Sequence, residues 1–164
     1  MSDKQPFRLA DWAQNLFLRG LINGLLLLPY RLRVPLCGWV MSHLIAPVAG
    51  YRRRVRRNLA LIMPDLPEAE VNRIAREVPD NVGRTLIEIY SGPEFITRAA
   101  GLPLEGAGVA ALDEAHKTGR PVLLITGHFG NYDASRAALI ARGYRVGALY
   151  NPMKNGYFND HYVR

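Results

Sequence analysis

The amino-acid sequence predicts an α/β protein in two unequal parts: a helical, membrane-associated N-terminal segment followed by a partial β-α-β-α-β parallel sheet. Three observations predict it. After Gly101, short apolar runs alternate with amphipathic helical patterns, separated by glycine and proline, as expected of strands joined by helical crossovers. Before Gly101, the apolar residues recur at helical spacing instead. The excess positive charge is confined to residues 1–60, which hold ten Lys and Arg against two Asp and Glu, out of 21 and 14 in the 164-residue chain. A hydrophobic content of 49% with 21% charged residues excludes wholesale disorder and low-complexity sequence.

The first helix is expected over residues 9–28, where Leu9, Trp12, Leu16, Phe17, Leu21, Leu25 and Leu28 form an apolar stripe before Pro29. Arg19 interrupts it, and the uncharged part from Gly20 to Tyr30 is too short to cross a hydrocarbon core of about 30 Å. A second uncharged stretch runs from Val34 to Tyr51, with arginine at both ends, so charge gives no clear orientation. These helices are expected to lie in or dip into the cytoplasmic leaflet, with a single span as the alternative. No small-residue cleavage site follows the first apolar run, so no removed signal peptide is expected.

Five guanidinium groups, Arg52, Arg53, Arg54, Arg56 and Arg57, crowd into six positions. Charge runs are usually solvated helix faces. Beside apolar helices they point instead to an anionic membrane surface. A nucleic acid is not expected, because no aromatic residues are interleaved with these arginines. From Pro67 a helical stripe continues through Val71, Ile74, Val78, Val82, Leu86 and Ile89, with Pro79 predicting a kink or break and Arg84 placed to pair with Glu88. The composition divides the chain into a membrane-associating segment at 1–60, a helical connector at 61–100 and a partial α/β domain at 101–164.

In that last part, strands are expected at Leu102 to Glu105, Val122 to Thr126 and Tyr144 to Tyr150, and helices at Val109 to Lys117 and Asn131 to Arg142. The stretch Thr126-Gly-His-Phe-Gly-Asn-Tyr-Asp133 then sets a histidine beyond a strand, where α/β proteins build their sites. Gly127 and Gly130 permit a sharp turn and close approach to a ligand, and Asn131 is an expected N-cap. Asp133 would lie near the positive helix end and orient one nitrogen of His128, leaving the other as a base. A histidine and an aspartate taken at random are more often structural, but the strand, the glycines and the cap favour chemistry here. No metal is expected, since His43, His116 and His161 offer no ligand spacing. The single cysteine, Cys37, supplies neither a disulfide framework nor a recognisable nucleophile, and no Gly-x-Ser-x-Gly elbow is present.

The block His128-Phe-Gly-Asn-Tyr-Asp133 is similar to the His-x4-Asp/Glu block of the lipid A biosynthesis acyltransferases, the lauroyl and myristoyl acyltransferases of the glycerolipid acyltransferase group. Arg56-Arg57-Asn58-Leu59 with Pro64, the apolar N-terminus and Tyr150-Asn-Pro-Met-Lys-Asn155 resemble the same family in the same order. The resemblance implies an acyltransferase at the cytoplasmic face of the bacterial inner membrane. Such an enzyme moves a fatty acyl group from acyl carrier protein, or a coenzyme A thioester, to a hydroxyl of an anionic glycolipid, without a cofactor. It makes His128 the general base and Asp133 its orienting partner, with Gly130, Asn131 and Arg164 on the substrate. Asn151 departs from the arginine common in the family. Family members usually continue beyond this length, so a truncated sheet is expected, and the alternative function is an inactive lipid-binding remnant.

Overall fold

A computed structural model describes residues 8–162. Its helices are α1 (Leu9–Leu26), α2 (Tyr30–Val40), α3 (Ala46–Val48), α4 (Tyr51–Ile62), α5 (Glu68–Tyr90), α6 (Pro93–Ala99), α7 (Val109–Lys117), α8 (Ala134–Ala141) and α9 (Gly156–Tyr162). A π-helical turn, Met41–Ile45, joins α2 to α3.

The expected parallel sheet does not form. Among the described residues there is no strand, and Leu102 to Glu105, Val122 to Thr126 and Tyr144 to Tyr150 exchange no backbone hydrogen bonds with one another. Their side chains lie largely in the open, with Leu123 83% and Ile125 90% exposed. A β-branched, apolar run favours extended backbone, but a strand exists only where a neighbour completes its ladder. The predicted partial sheet of the glycerolipid acyltransferase type is therefore replaced by an all-helical arrangement with extended connections.

The first core is built where α1, α2, α5 and α9 meet. Ile22 and Leu25 of α1, Cys37 of α2, Ile87 of α5 and Phe158 of α9 are buried together. Helix α1 forms where the leucine spacing predicts it and ends before Pro29, which cannot donate to the preceding turn. Helices α2 and α5 pack with almost no space between their backbones. A Cβ on Gly83 would stand 2.6 Å from the Cys37 carbonyl oxygen and 2.7 Å from Met41 Cβ. One on Gly38 would stand 2.6 Å from Asp80 Oδ1. The packing shields the Cys37 thiol: burial, then the Asp80 carboxylate, pushes its pKa up to about 11, so it stays protonated at neutral pH.

Of the kink or break expected at Pro79, the break does not occur, and α5 continues through it. The missing N–H of Pro79 leaves Ala75 O without its helical donor, and one residue further on Ser42 donates to Arg76 O at 2.8 Å. The π-helical turn has a related origin. Ala46 N–H bonds to Met41 O, and the next nitrogen along, that of Pro47, has no hydrogen, so Ser42 O is left without a helical donor. Arg52 fills the gap from α4, its Nη2 donating to Ser42 O at 2.9 Å. The stretch from Tyr30 to Val48 and the following α4 meet at 85°. No single helix among the described residues is long and apolar enough to cross a membrane, and this bent pair reaches the required length and composition only when its two parts are taken together.

A second, smaller core joins α6 and α8 through Phe95, Ala99, Ala137 and Ala138. Buried Arg33 ties the start of α2 to α6, with Nη2 2.5 Å from Glu94 Oε2 and Nη1 3.3 Å from Leu28 O. Asn155 has a structural role: its Oδ1 accepts from Phe158 N in the first turn of α9, while its Nδ2 donates to Asp11 O at 2.8 Å and Gln14 Oε1 at 3.0 Å. Arg84 pairs with Asp80 at 2.5 Å, not with Glu88 as its spacing suggested, because Glu88 is committed to partners outside its own helix.

The closeness of α2 and α5 is tested by two glycines. Gly83→Ala is expected to lower unfolding stability by about 1–3 kcal/mol through overpacking. Gly20→Ala, at an exposed position of α1 with nothing within 4 Å, is expected to raise it by about 0.5–1 kcal/mol. Urea denaturation of the two variants measures both changes.

Candidate active site

The loop carrying His128 leads into α8 and is tied to the end of α5 through Asn131. Gly130 takes φ +53°, a conformation that favours glycine, and it swings the chain from the exposed segment at His128 into the half-buried Asn131. Gly127 keeps room for a neighbouring ring, since a Cβ there would stand 2.7 Å from Phe129 Cε2. Asn131 caps the turn that leads into α8, its Oδ1 accepting from Asp133 N at 3.0 Å. The helix itself begins at Ala134, three residues later than its sequence pattern suggests.

His128 and Asp133 stand on one loop but do not bond to each other. The His128 side chain is exposed, and its ring lies 4.8 Å from the Tyr132 ring at 52°. Asp133 is buried and gripped at both oxygens by Arg136, at 2.6 Å from Nε and 2.8 Å from Nη2. This bidentate pair across one turn of helix gives Asp133 a strong, geometrically fixed partner. The carboxylate in turn raises the Arg136 pKa, chiefly through that hydrogen bond.

Three residues of this surrounding were not read as functional from the sequence. Arg136, three positions after Asp133, was available to a spacing argument. Glu88 was not: it reaches Asn131 across 43 positions, accepting from Nδ2 at 2.6 Å, while its other oxygen accepts from Tyr30 at 2.8 Å. Tyr132 is the third, its ring set beside that of His128. Tyr30 lies under two guanidinium groups, with Arg98 4.0 Å and Arg33 5.1 Å from the ring centroid. Arg164 lies outside the described residues. Among the described residues no group of three or more His, Cys, Asp or Glu is arranged to hold a metal ion.

The five arginines of α4 differ in their partners. Arg52 is half-buried and bonded to Ser42 O. Arg56 is held by Glu68 at 2.8 Å and by the Asn72 side chain. Arg53, Arg54 and Arg57 are exposed, with Arg54 over the Tyr51 ring at 5.6 Å. Exposed Trp39, Leu44 and Val48 precede this basic helix, and exposed Leu61, Ile62 and Met63 end it.

The family model for bacterial lipid A biosynthesis acyltransferases matches residues 4–164, so an acyltransferase is the class of protein to which the loop and its helices belong. The chain is a member of the bacterial lipid A biosynthesis acyltransferase family. Membership implies an acyl donor and a lipid acceptor. No curated protein and no solved structure matches the chain.

The tyrosines that surround the loop give a pH prediction. Burial, then the Glu88 carboxylate, raises Tyr30 well above the ordinary phenol value. Burial pushes Tyr90 up to about 12, and burial followed by Tyr162 raises Tyr132. The unfolded chain releases these protons near pH 10 and the folded chain keeps them longer, so stability is full below about pH 10 and falls as pH rises past it. Because these rings are partly exposed, the fall is expected to be only about 1 kcal/mol between about pH 9 and about pH 11. Urea midpoints across that range check the sign.

Proposed function

We propose that this chain transfers a fatty acyl group from acyl carrier protein to a hydroxyl of a lipid A precursor or related anionic glycolipid, at the cytoplasmic face of the bacterial inner membrane. Family membership over residues 4–164 carries the reading. His128 is the general base. It takes the proton from the acceptor hydroxyl as that oxygen attacks the thioester carbonyl; a C–O bond forms, the C–S bond breaks, and the departing thiolate takes the proton back from the imidazolium. The exposure of the His128 ring supports this role by leaving it open to an incoming alcohol. Asp133 orients the ring only after exchanging one of its Arg136 bonds, since both of its oxygens are engaged. Gly130, Asn131 and Arg164 are assigned to the substrate, Arg164 to a phosphate, by the resemblance alone; the side-chain amide of Asn131 is itself engaged by Glu88 and by Asp133 N.

Membrane contact is assigned to the end of the α2–α3 segment and to α4. Exposed apolar residues flank a helix bearing four exposed arginines, of which Arg53, Arg54 and Arg57 make no ion pair among the described residues, so apolar burial and attraction to anionic head groups act on one surface. Arg52 and Arg56 contribute less there because each has a partner within the protein. A second reading, lipid binding without turnover, is favoured by one observation: Asp133 is bonded to Arg136 and not to His128.

Transfer of a labelled acyl group from acyl carrier protein to a lipid A precursor separates the two readings. His128→Ala is expected to lower kcat by roughly 100- to 10,000-fold; turnover equal to the unsubstituted protein refutes the base. Lipid binding with no transfer by the unsubstituted protein establishes the second reading. For the membrane surface, the triple substitution Arg53→Gln, Arg54→Gln and Arg57→Gln is expected to weaken flotation with anionic vesicles by about 1 kcal/mol per residue, and less at high salt. Binding that is unchanged at low salt removes α4 from the surface.

A further inference from the structure

We propose that Glu88 is a positioning residue for the His128 loop, acting through Asn131. The proposal rests on the reading of His128 as the base.

The geometry that carries it is a chain of hydrogen bonds through three separate parts of the fold. Tyr30, the first residue of α2, donates to Glu88 Oε1 at 2.8 Å. Asn131 Nδ2 donates to Glu88 Oε2 at 2.6 Å, and Asn131 Oδ1 accepts from Asp133 N at 3.0 Å. An ionised carboxylate only accepts, so it fixes which end of the Asn131 amide faces it. The amide nitrogen must point to Glu88, which turns the amide oxygen toward the first turn before α8. Glu88 thereby sets the entry into α8, where Asp133 stands, and holds the C-terminal end of the segment whose other end bears His128. Glu88 does not touch His128, so its effect is on placement.

The site of attachment is itself rigid. Glu88 is in the last turn of α5, one residue from the buried Ile87 of the first core. Tyr30, which holds the other carboxylate oxygen, is fixed under Arg98 and Arg33. A loop anchored to such a point loses freedom that an exposed segment otherwise keeps. The Arg84 guanidinium, four residues back and the expected partner for Glu88, is occupied by Asp80 at 2.5 Å. That leaves both Glu88 oxygens to Tyr30 and Asn131.

A donor–acceptor exchange in the whole 164-residue chain tests this. Asn131→Asp keeps an acceptor for Asp133 N but sets two carboxylates against each other at Glu88. It is expected to speed hydrogen exchange at the Asp133 amide roughly tenfold and to lower kcat of acyl transfer by roughly 10- to 100-fold with little change in KM. Glu88→Gln alone retains an acceptor for Asn131 and is expected to have a small effect. Combined with Asn131→Asp it supplies a donor where the acceptor was, and both exchange and kcat are expected to return toward those of the unsubstituted protein. All these changes are nearly isosteric, and helical circular dichroism verifies that the variants are folded. Unchanged exchange at Asp133 in Asn131→Asp, or no recovery in the double variant, overturns the proposal. If exchange follows the expected pattern while His128→Ala turns over like the unsubstituted protein, Glu88 holds the loop and the assignment of the base fails.

Discussion

The near-contact of α2 and α5 is the constraint on which the rest of the structure depends. With no side chain at Gly83, the Cys37 carbonyl lies where a Cβ would otherwise be, and Gly38 leaves comparable room for Asp80. The two obstacles differ in kind. Asp80 is the end of a side chain and can swing, whereas the Cys37 carbonyl is backbone within a helix and yields only if the helices part. The Tyr30–Glu88 link to the His128 loop spans this crossing. Tyr30 lies before it on α2 and Glu88 after it on α5, so their bond forms only when the two helices hold their spacing.

A second dependency runs the opposite way along α2. Pro47 withholds a donor, the helix widens into a π turn, and the orphaned Ser42 carbonyl takes Arg52 from the following helix. The Ser42 hydroxyl also donates to Arg76 O of α5, one residue beyond the Ala75 carbonyl that Pro79 leaves without a helical donor. One residue thus links the π-helical turn to two helices: the Ser42 hydroxyl supplies a donor to α5, and its carbonyl receives one from α4. The 85° bend at this point separates α4 from the axis of α2 and leaves Arg53, Arg54 and Arg57 exposed.

What was legible in the sequence was local. The leucine spacing of α1, the stripe of α5 and the short pattern Val109 to Lys117 all became helices, because periodicity near 3.6 is a property of consecutive residues. The strands were not legible in the same sense. Val122 to Thr126 has strand composition, but pairing is a relation to another segment, and none of the three runs supplies it to another. The site divides along the same line. The capping oxygen of Asn131 and the place of Asp133 at a helix start follow from nearby residues. The Glu88 bond to Asn131 does not, since no local rule connects positions 43 apart. Nor was the competition for Asp133 foreseen: Arg136 meets both of its oxygens, which a reading centred on His128 overlooked.

The single cysteine also has a diagnostic consequence. Cys37 is buried at the crossing, adjacent to the carbonyl that faces Gly83. Alkylation of the folded protein therefore has to wait for the helices to separate and for the thiol to ionise. The rate at which a maleimide captures that sulfur is a clock for the opening of the crossing, carried by the natural chain without an added label.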